Sequence, residues 1–183
     1  MRQTASRYST VAIVLHWLIF ALIIANVFVG GWMEDAEGPA KFEQFQMHKS
    51  LGLTVLALSL ARLVWRLTHP APPLPADMAV WERALARTTQ ALFYVLMIGI
   101  PLLGWAAVSA GGAPEAPLFG VLPGPNLPIA QDEPLSHALG DAHKAAVKSF
   151  YVLLALHVAG ALKHQFIDRD DVMARMLPFL RRG

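Results

Sequence analysis

Four apolar stretches dominate the chain, at residues 9–32, 46–67, 88–109 and 142–166, each close to the ~20 residues that carry a helix across ~30 Å of hydrocarbon. Inside a bilayer no water satisfies backbone polar groups, so each stretch is expected to close its own hydrogen bonds as a helix. The expected fold is all-α, an integral membrane four-helix bundle forming one domain over residues 1–183. Composition agrees, since 55% of the 183 residues are hydrophobic and only 15% are charged, against about 25% charged in soluble domains.

The sequence contains no cysteine. That excludes disulfides, thiolate nucleophiles, iron–sulfur ligation, c-type haem attachment and cysteine zinc sites, leaving histidine or carboxylate for any metal. The formal charge of +2 reflects topology rather than a nucleic-acid partner. Basic residues fall at one set of helix ends: Arg2, Arg7, Arg62, Arg66, Arg83, Arg87, Lys163, Arg169, Arg175, Arg181 and Arg182. Only Lys41, Lys49, Lys144 and Lys148 lie at the opposite ends, so the positive-inside bias puts both termini in the cytoplasm. The first apolar stretch is longer than a signal-peptide core and lacks a clear cleavage site, and reads as a retained signal anchor.

The first outer loop carries Glu34, Asp35, Glu37 and Glu43, and the inner loop from Thr68 to Met78 is short and rich in proline. The second outer loop, 110–141, has six prolines between Gly111 and Pro134 and cannot be helical throughout. It is either a solvated connector or a lid over the outer face. Gly99, Pro101 and Gly104 in the third stretch predict a kink and close packing.

Histidines carry the chemistry. His143 and His157 are fourteen residues apart in the fourth stretch, which at about 100° and 1.5 Å per residue places them on nearly one face, roughly 21 Å apart. Helix direction supplies the depths of the others. His16 lies in the inner half of the first helix, and His48 near the outer end of the second. The expected pairs are therefore His48 with His143 outside and His16 with His157 inside. Two stacked bis-histidine sites suit two b haems, each iron taking an imidazole on both axial faces. A single membrane histidine is as well explained by a cross-helix hydrogen bond, but four matched in depth are not. A zinc or copper transport path would add carboxylates inside the spans, where none occurs.

The same offset recurs on the other helices. Gly30, fourteen residues after His16, and Gly52, one turn after His48, offer room for a macrocycle. Arg62, fourteen after His48, faces the inner level, where a haem propionate is an obvious partner and snorkelling to the interface the alternative. His164 lies on the His157 face about 10 Å nearer the cytoplasm. It is placed either to hydrogen-bond a quinone carbonyl or propionate, or to serve as an interfacial cation. Lys49 and Lys144, each following an outer histidine, are expected either to steer an anionic donor or to snorkel to headgroups. His69 and His137 fall in loops and are assigned no ligand role.

These residues recur in recognisable strings: Arg7-Tyr8, Leu15-His16-Trp17, His48-Lys49-Ser50-Leu51-Gly52, Ala61-Arg62-Leu63-Val64-Trp65-Arg66 and Pro101-Leu102-Leu103-Gly104. Ala142-His143-Lys144, Leu156-His157-Val158-Ala159-Gly160-Ala161-Leu162 and Lys163-His164 continue the match. Across essentially its whole length the chain resembles the bacterial cytochrome b561 family. The resemblance implies a multi-pass inner-membrane cytochrome with two b haems on His16, His48, His143 and His157, exchanging electrons with ubiquinone. It also implies that some members oxidise superoxide at the periplasmic face. Filled axial positions favour outer-sphere one-electron transfer over oxygen binding. The expected function is electron transfer between an outer donor, superoxide, and the quinone pool. A haem-bearing anchor subunit for a partner dehydrogenase or hydrogenase is the alternative, and a metal permease the non-redox reading.

Overall fold

The computed structural model describes residues 7–75 and 78–180. Arg2, Arg181 and Arg182, part of the inner basic set, lie outside the described residues. Four helices follow in order: α1 (Thr10–Asp35), α2 (Gly38–Thr68), α3 (Val80–Ala110) and α4 (Glu133–Lys163). All four are long and apolar enough to cross a membrane. Among the described residues the only β pairing is an isolated bridge between Leu118 and Leu122. The protein is an all-α membrane four-helix bundle.

The helices outrun the apolar stretches because polar residues cap them beyond the hydrocarbon. α1 starts where the Ser9 hydroxyl accepts the Ala12 N–H at 3.2 Å, satisfying one of the free donors of the first turn. The predicted first outer loop shrinks to Ala36 and Glu37: the chain turns through Gly38 at φ +57°, a left-handed conformation that costs glycine little. Glu43 is therefore helical. α3 begins eight residues before its apolar part, with the Glu82 carboxylate accepting from the Ala79 N–H at 3.4 Å.

The second outer loop is likewise shorter than the expected 110–141. Asp132 accepts the Leu135 N–H at 2.9 Å and starts α4 with Pro134 in its first turn, where a missing N–H costs nothing. His137 thus belongs to α4, paired with Glu133 at 3.6 Å on an exposed face.

Two helical hairpins, α1–α2 and α3–α4, join mainly along α2 and α3. Outward-facing apolar side chains such as Phe28, Val64, Val95 and Val152 are exposed along the spans, as expected of surfaces that meet lipid rather than water. Few apolar residues are fully buried: Ile19, Val55, Leu56, Phe150 and Leu153 mark the helix contacts within the bundle.

At its C-terminal end α4 runs into a π-helical turn, His164–Asp168, and reverses at Arg169, which has φ +56°. The segment beyond folds back over the bundle. The Trp17 indole donates to the Met176 carbonyl at 3.1 Å, and the Arg175 guanidinium donates to the Pro73 carbonyl of the inner loop. Lys163 ties α3 to this turn, bridging Glu82 at 2.8 Å and Asp168 at 2.6 Å.

Candidate functional site: two histidine pairs

The pair expected at the outer level is built by all four helices. His48 of α2 and His143 of α4 face each other with ring centroids 6.1 Å apart and planes at 78°. The His143 Nδ1 lies 2.8 Å from the Ile100 carbonyl of α3, and the His48 Nδ1 lies 3.3 Å from the Asn26 carbonyl of α1. An Nδ1–H donating to each carbonyl fixes the tautomer and leaves Nε2 with its lone pair free. Two glycines let the rings lie flat against neighbouring helices. A Cβ on Gly30 would sit 3.3 Å from the His48 ring, and one on Gly104 only 3.1 Å from the His143 Nδ1.

The inner pair repeats the arrangement roughly 21 Å deeper along α4. His16 of α1 and His157 of α4 have ring centroids 6.2 Å apart and planes at 70°. Trp17 edges against His16 at 5.1 Å, and Phe93 of α3 against His157 at 5.2 Å. The Arg62 guanidinium donates to the Ala12 carbonyl at 2.8 Å, one turn before His16.

These dimensions fit a bis-imidazole metal centre. A nitrogen–metal bond of roughly 2 Å on each side, plus the radius of each ring, places trans imidazole centroids about 6 Å apart. Both pairs meet that separation, and the outer imidazoles have carbonyls that accept at Nδ1, as metal-ligating histidines usually do. A square-planar macrocycle with two axial imidazoles matches the donor set; a structural zinc site needs four protein ligands, and each pair offers two.

The other sequence-selected residues are more dispersed. Gly30 accommodates the His48 ring itself, and Gly52 faces Asn26, whose amide nitrogen would lie 3.6 Å from an added Cβ. Arg62 of α2 is bonded across to the backbone of α1, at the Ala12 carbonyl one turn before His16. His164 is held away from the pairs in the π-turn. Its Nδ1 lies 2.7 Å from Asp170 and 3.3 Å from Asp168. The three ligand-type groups lie within 4.8 Å of one another, and Lys163 already supplies the cation that Asp168 requires. Lys144 is exposed beside Asp141 at 3.9 Å. His69 caps α2 and stacks on Trp65, with centroids 3.7 Å apart.

Lys49 is buried: it is only 8% exposed beneath the 111–132 loop, where its Nζ lies 3.3 Å from the Gly124 carbonyl. The next residue, Ser50, accepts the Phe119 N–H at 3.0 Å, and Ser109 of α3 accepts the Leu127 N–H at 2.9 Å. The loop is thereby pinned to α2 and α3 over the outer level. Residue spacing alone did not identify the partners of the rings: Ile100 and Asn26 act through backbone carbonyls, which leave no side-chain signature. Asn26 did carry a signal, as a lone amide in an apolar stretch whose Oδ1 is buried without a partner.

Comparison with known proteins places this arrangement in a class of membrane cytochromes. The family described as Prokaryotic cytochrome b561 matches residues 7–179. The chain is 30% identical over 178 residues to Cytochrome b561 homolog 2 of Escherichia coli (strain K12), covering 96% of this chain and 93% of that protein. It is 27% identical over 182 residues to the Probable superoxide oxidase CybB of Yersinia pestis, covering 94% and 96% respectively. Cytochrome b562 of Cereibacter sphaeroides is 28% identical over 180 residues, with 93% and 94% covered. The chain belongs to the prokaryotic cytochrome b561 family. It is a multi-pass bacterial membrane protein of electron transport, a haem b-binding cytochrome with redox activity.

Proposed function

We propose that the chain holds two b haems, on His48 and His143 outside and on His16 and His157 inside, and carries electrons across the inner membrane between superoxide and ubiquinone. The two imidazole pairs, each with centroids about 6 Å apart and stacked along α4, are the observation that supports this reading. Haem b, held by His48 and His143 at one level and by His16 and His157 at the other, would supply a one-electron couple at each.

The protein's own part is to set and hold those levels. The Ile100 and Asn26 carbonyls orient the outer imidazoles, which preserves their geometry when the charge of the site changes. Arg62 places a fixed positive charge at the inner level, stabilising the electron-rich state there. The overall reaction balances as follows: two superoxide anions each lose one electron and leave as dioxygen, and one ubiquinone gains two electrons and two protons to become ubiquinol. With both termini cytoplasmic, superoxide meets the outer pair and ubiquinone the inner end, near Arg62 and His164. His164, oriented through Nδ1 by Asp170, can donate to a quinone carbonyl from Nε2 when the ring carries both protons.

The relative named a probable superoxide oxidase supports the choice of donor. The test is a purified chain given superoxide and ubiquinone alone. Formation of ubiquinol, with a reducible b-type haem spectrum, is the expected result. Haem without turnover would shift the reading to an anchor subunit that needs a dehydrogenase or hydrogenase partner, and the absence of any b-type spectrum would sink electron transfer altogether.

A further inference from the structure

Among the described residues, Lys49 is the one buried cation that the proposed electron path leaves unexplained. It is 8% exposed, it follows His48 directly, and the one hydrogen bond of its ammonium is to a neutral carbonyl, that of Gly124. Among the described residues no carboxylate forms an ion pair with it. An ammonium carries three donors and a full charge, and a single neutral acceptor compensates neither for its removal from water. The contrast with Lys163 is instructive: that lysine, more exposed, is bracketed by two carboxylates.

The surroundings are built rather than incidental. Ser50 and Ser109 hold the loop in place through Phe119 and Leu127, and the Trp105 indole donates to the Pro125 carbonyl at 2.9 Å, next to Gly124. The loop carbonyl therefore aims the ammonium while the loop excludes solvent from it. In such a place a cation is stable when an anion shares it.

We propose that Lys49 is an anion-binding residue of the outer level, receiving an oxyanion beside the His48–His143 pair under the 111–132 loop. This rests on the proposed function, which puts two such oxyanions within its reach: a carboxylate side chain of the outer porphyrin, resident in the protein, and superoxide arriving from outside. The charge is the essential property, because either anion needs a counter-ion more than it needs a donor.

The experiment compares the purified wild-type chain with Lys49→Gln, which keeps a donor for the Gly124 carbonyl and removes the charge, and with Lys49→Arg, which restores it. Haem per chain, the midpoint potential of each haem and the rate of reduction by superoxide over a range of ionic strength are measured. A porphyrin carboxylate as the anion predicts that Lys49→Gln lowers haem retention at the outer level or moves its potential alone, with the salt dependence of the superoxide rate unchanged. Superoxide as the anion predicts unchanged potentials and haem content, with a rate loss of tenfold or more and a flattened salt dependence. In either case Lys49→Arg recovers most of the effect. If Lys49→Gln matches the wild type in potentials, haem content and salt dependence, the proposal is overturned, as it is if Lys49→Arg is no better than Lys49→Gln. A wild-type chain without b-type haem is a separate result, which removes the parent reading instead. Should Lys49→Gln fail to accumulate, Trp105→Phe leaves the charge and frees the roof at the Pro125 carbonyl beside Gly124; unaltered outer potential and salt dependence in that variant, together with a wild-type rate insensitive to salt, overturn the proposal equally.

Discussion

At the scale of single residues, each imidazole is defined by what lies behind it as much as by the ring it faces. His143 has a carbonyl at its Nδ1 and a glycine under its ring, and both come from α3. Removing the ring by His143→Ala is therefore expected to abolish haem at the outer level while largely sparing the inner, with His16→Ala doing the reverse. A haem-resolved redox titration, together with the haem-to-protein ratio, separates the two. Loss of the same haem in both variants would falsify the pairing by depth. Gly104→Val makes a finer test. Its Cβ alone would stand 3.1 Å from the His143 Nδ1, so the ring must tilt and weaken its bond to the Ile100 carbonyl. By analogy with the loss of an outer partner of a metal-bound histidine, about 10–100-fold weaker binding is expected at the outer level, measured by haem titration into the depleted protein. Gly99→Val, at a glycine whose added Cβ meets nothing within 4 Å, is the control that isolates the contact from the loss of a helix glycine.

At the scale of elements, the outer loop is the part whose order has to be explained, since proline forbids it a helix. Its backbone is held instead by serine hydroxyls at Ser50 and Ser109. Ser109 is buried, and its hydroxyl also donates to the Trp105 carbonyl at 2.8 Å, so Ser109→Ala strands the Leu127 N–H. A half-buried amide without a partner costs about 1–3 kcal/mol, enough to open the loop locally before the bundle unfolds. Ser50→Ala combined with Ser109→Ala is expected to make the 111–132 segment cleavable by protease while leaving the helices protected, as read from the fragment masses after limited digestion. Intact segments at protease levels that spare the wild type would show that the loop is held by other contacts. The same element marks where sequence reading stops. The positions of His16, His48, His143 and His157 were legible because helical rise and alternating direction convert residue number into depth. The burial of Lys49 was not, because it depends on an aperiodic loop whose path follows from individual hydrogen bonds. The start of α4 falls outside the apolar stretch for a related reason: hydropathy detects the part of a helix that meets lipid, whereas Asp132 caps a part that extends past it. The Asp132-Glu133-Pro134 string was present to be read, but apolar length outweighed it.

At the scale of the whole molecule, direction across the membrane decides which pair faces the donor, and the fold alone is indifferent to it. The proposed direction rests on charge: Arg62, Arg66, Arg83, Arg87, Lys163, Arg169 and Arg175 gather at the end where the chain folds back over the inner loop, whereas the end with Lys41, Lys144 and Lys148 also carries Glu34, Asp35, Glu37 and Glu43. Basic residues resist translocation while acidic ones have little influence, so the histidine pair His48–His143 should face the periplasm. Because the chain contains no cysteine, single introduced thiols report position without background. Val121→Cys sits on the exposed outer loop, and Leu67→Cys at the exposed inner end of α2. A membrane-impermeant maleimide added to intact spheroplasts is expected to label Val121→Cys promptly and Leu67→Cys only after the membrane is opened. The opposite pattern would invert the molecule, put the superoxide-facing level at His16 and His157, and move the quinone to the Lys49 end. Equal labelling of both before opening would mean leaky membranes, a condition checked by a cytoplasmic protein thiol in the same sample. The orientation also links the scales, since Lys49 can meet superoxide only if the loop that covers it lies outside.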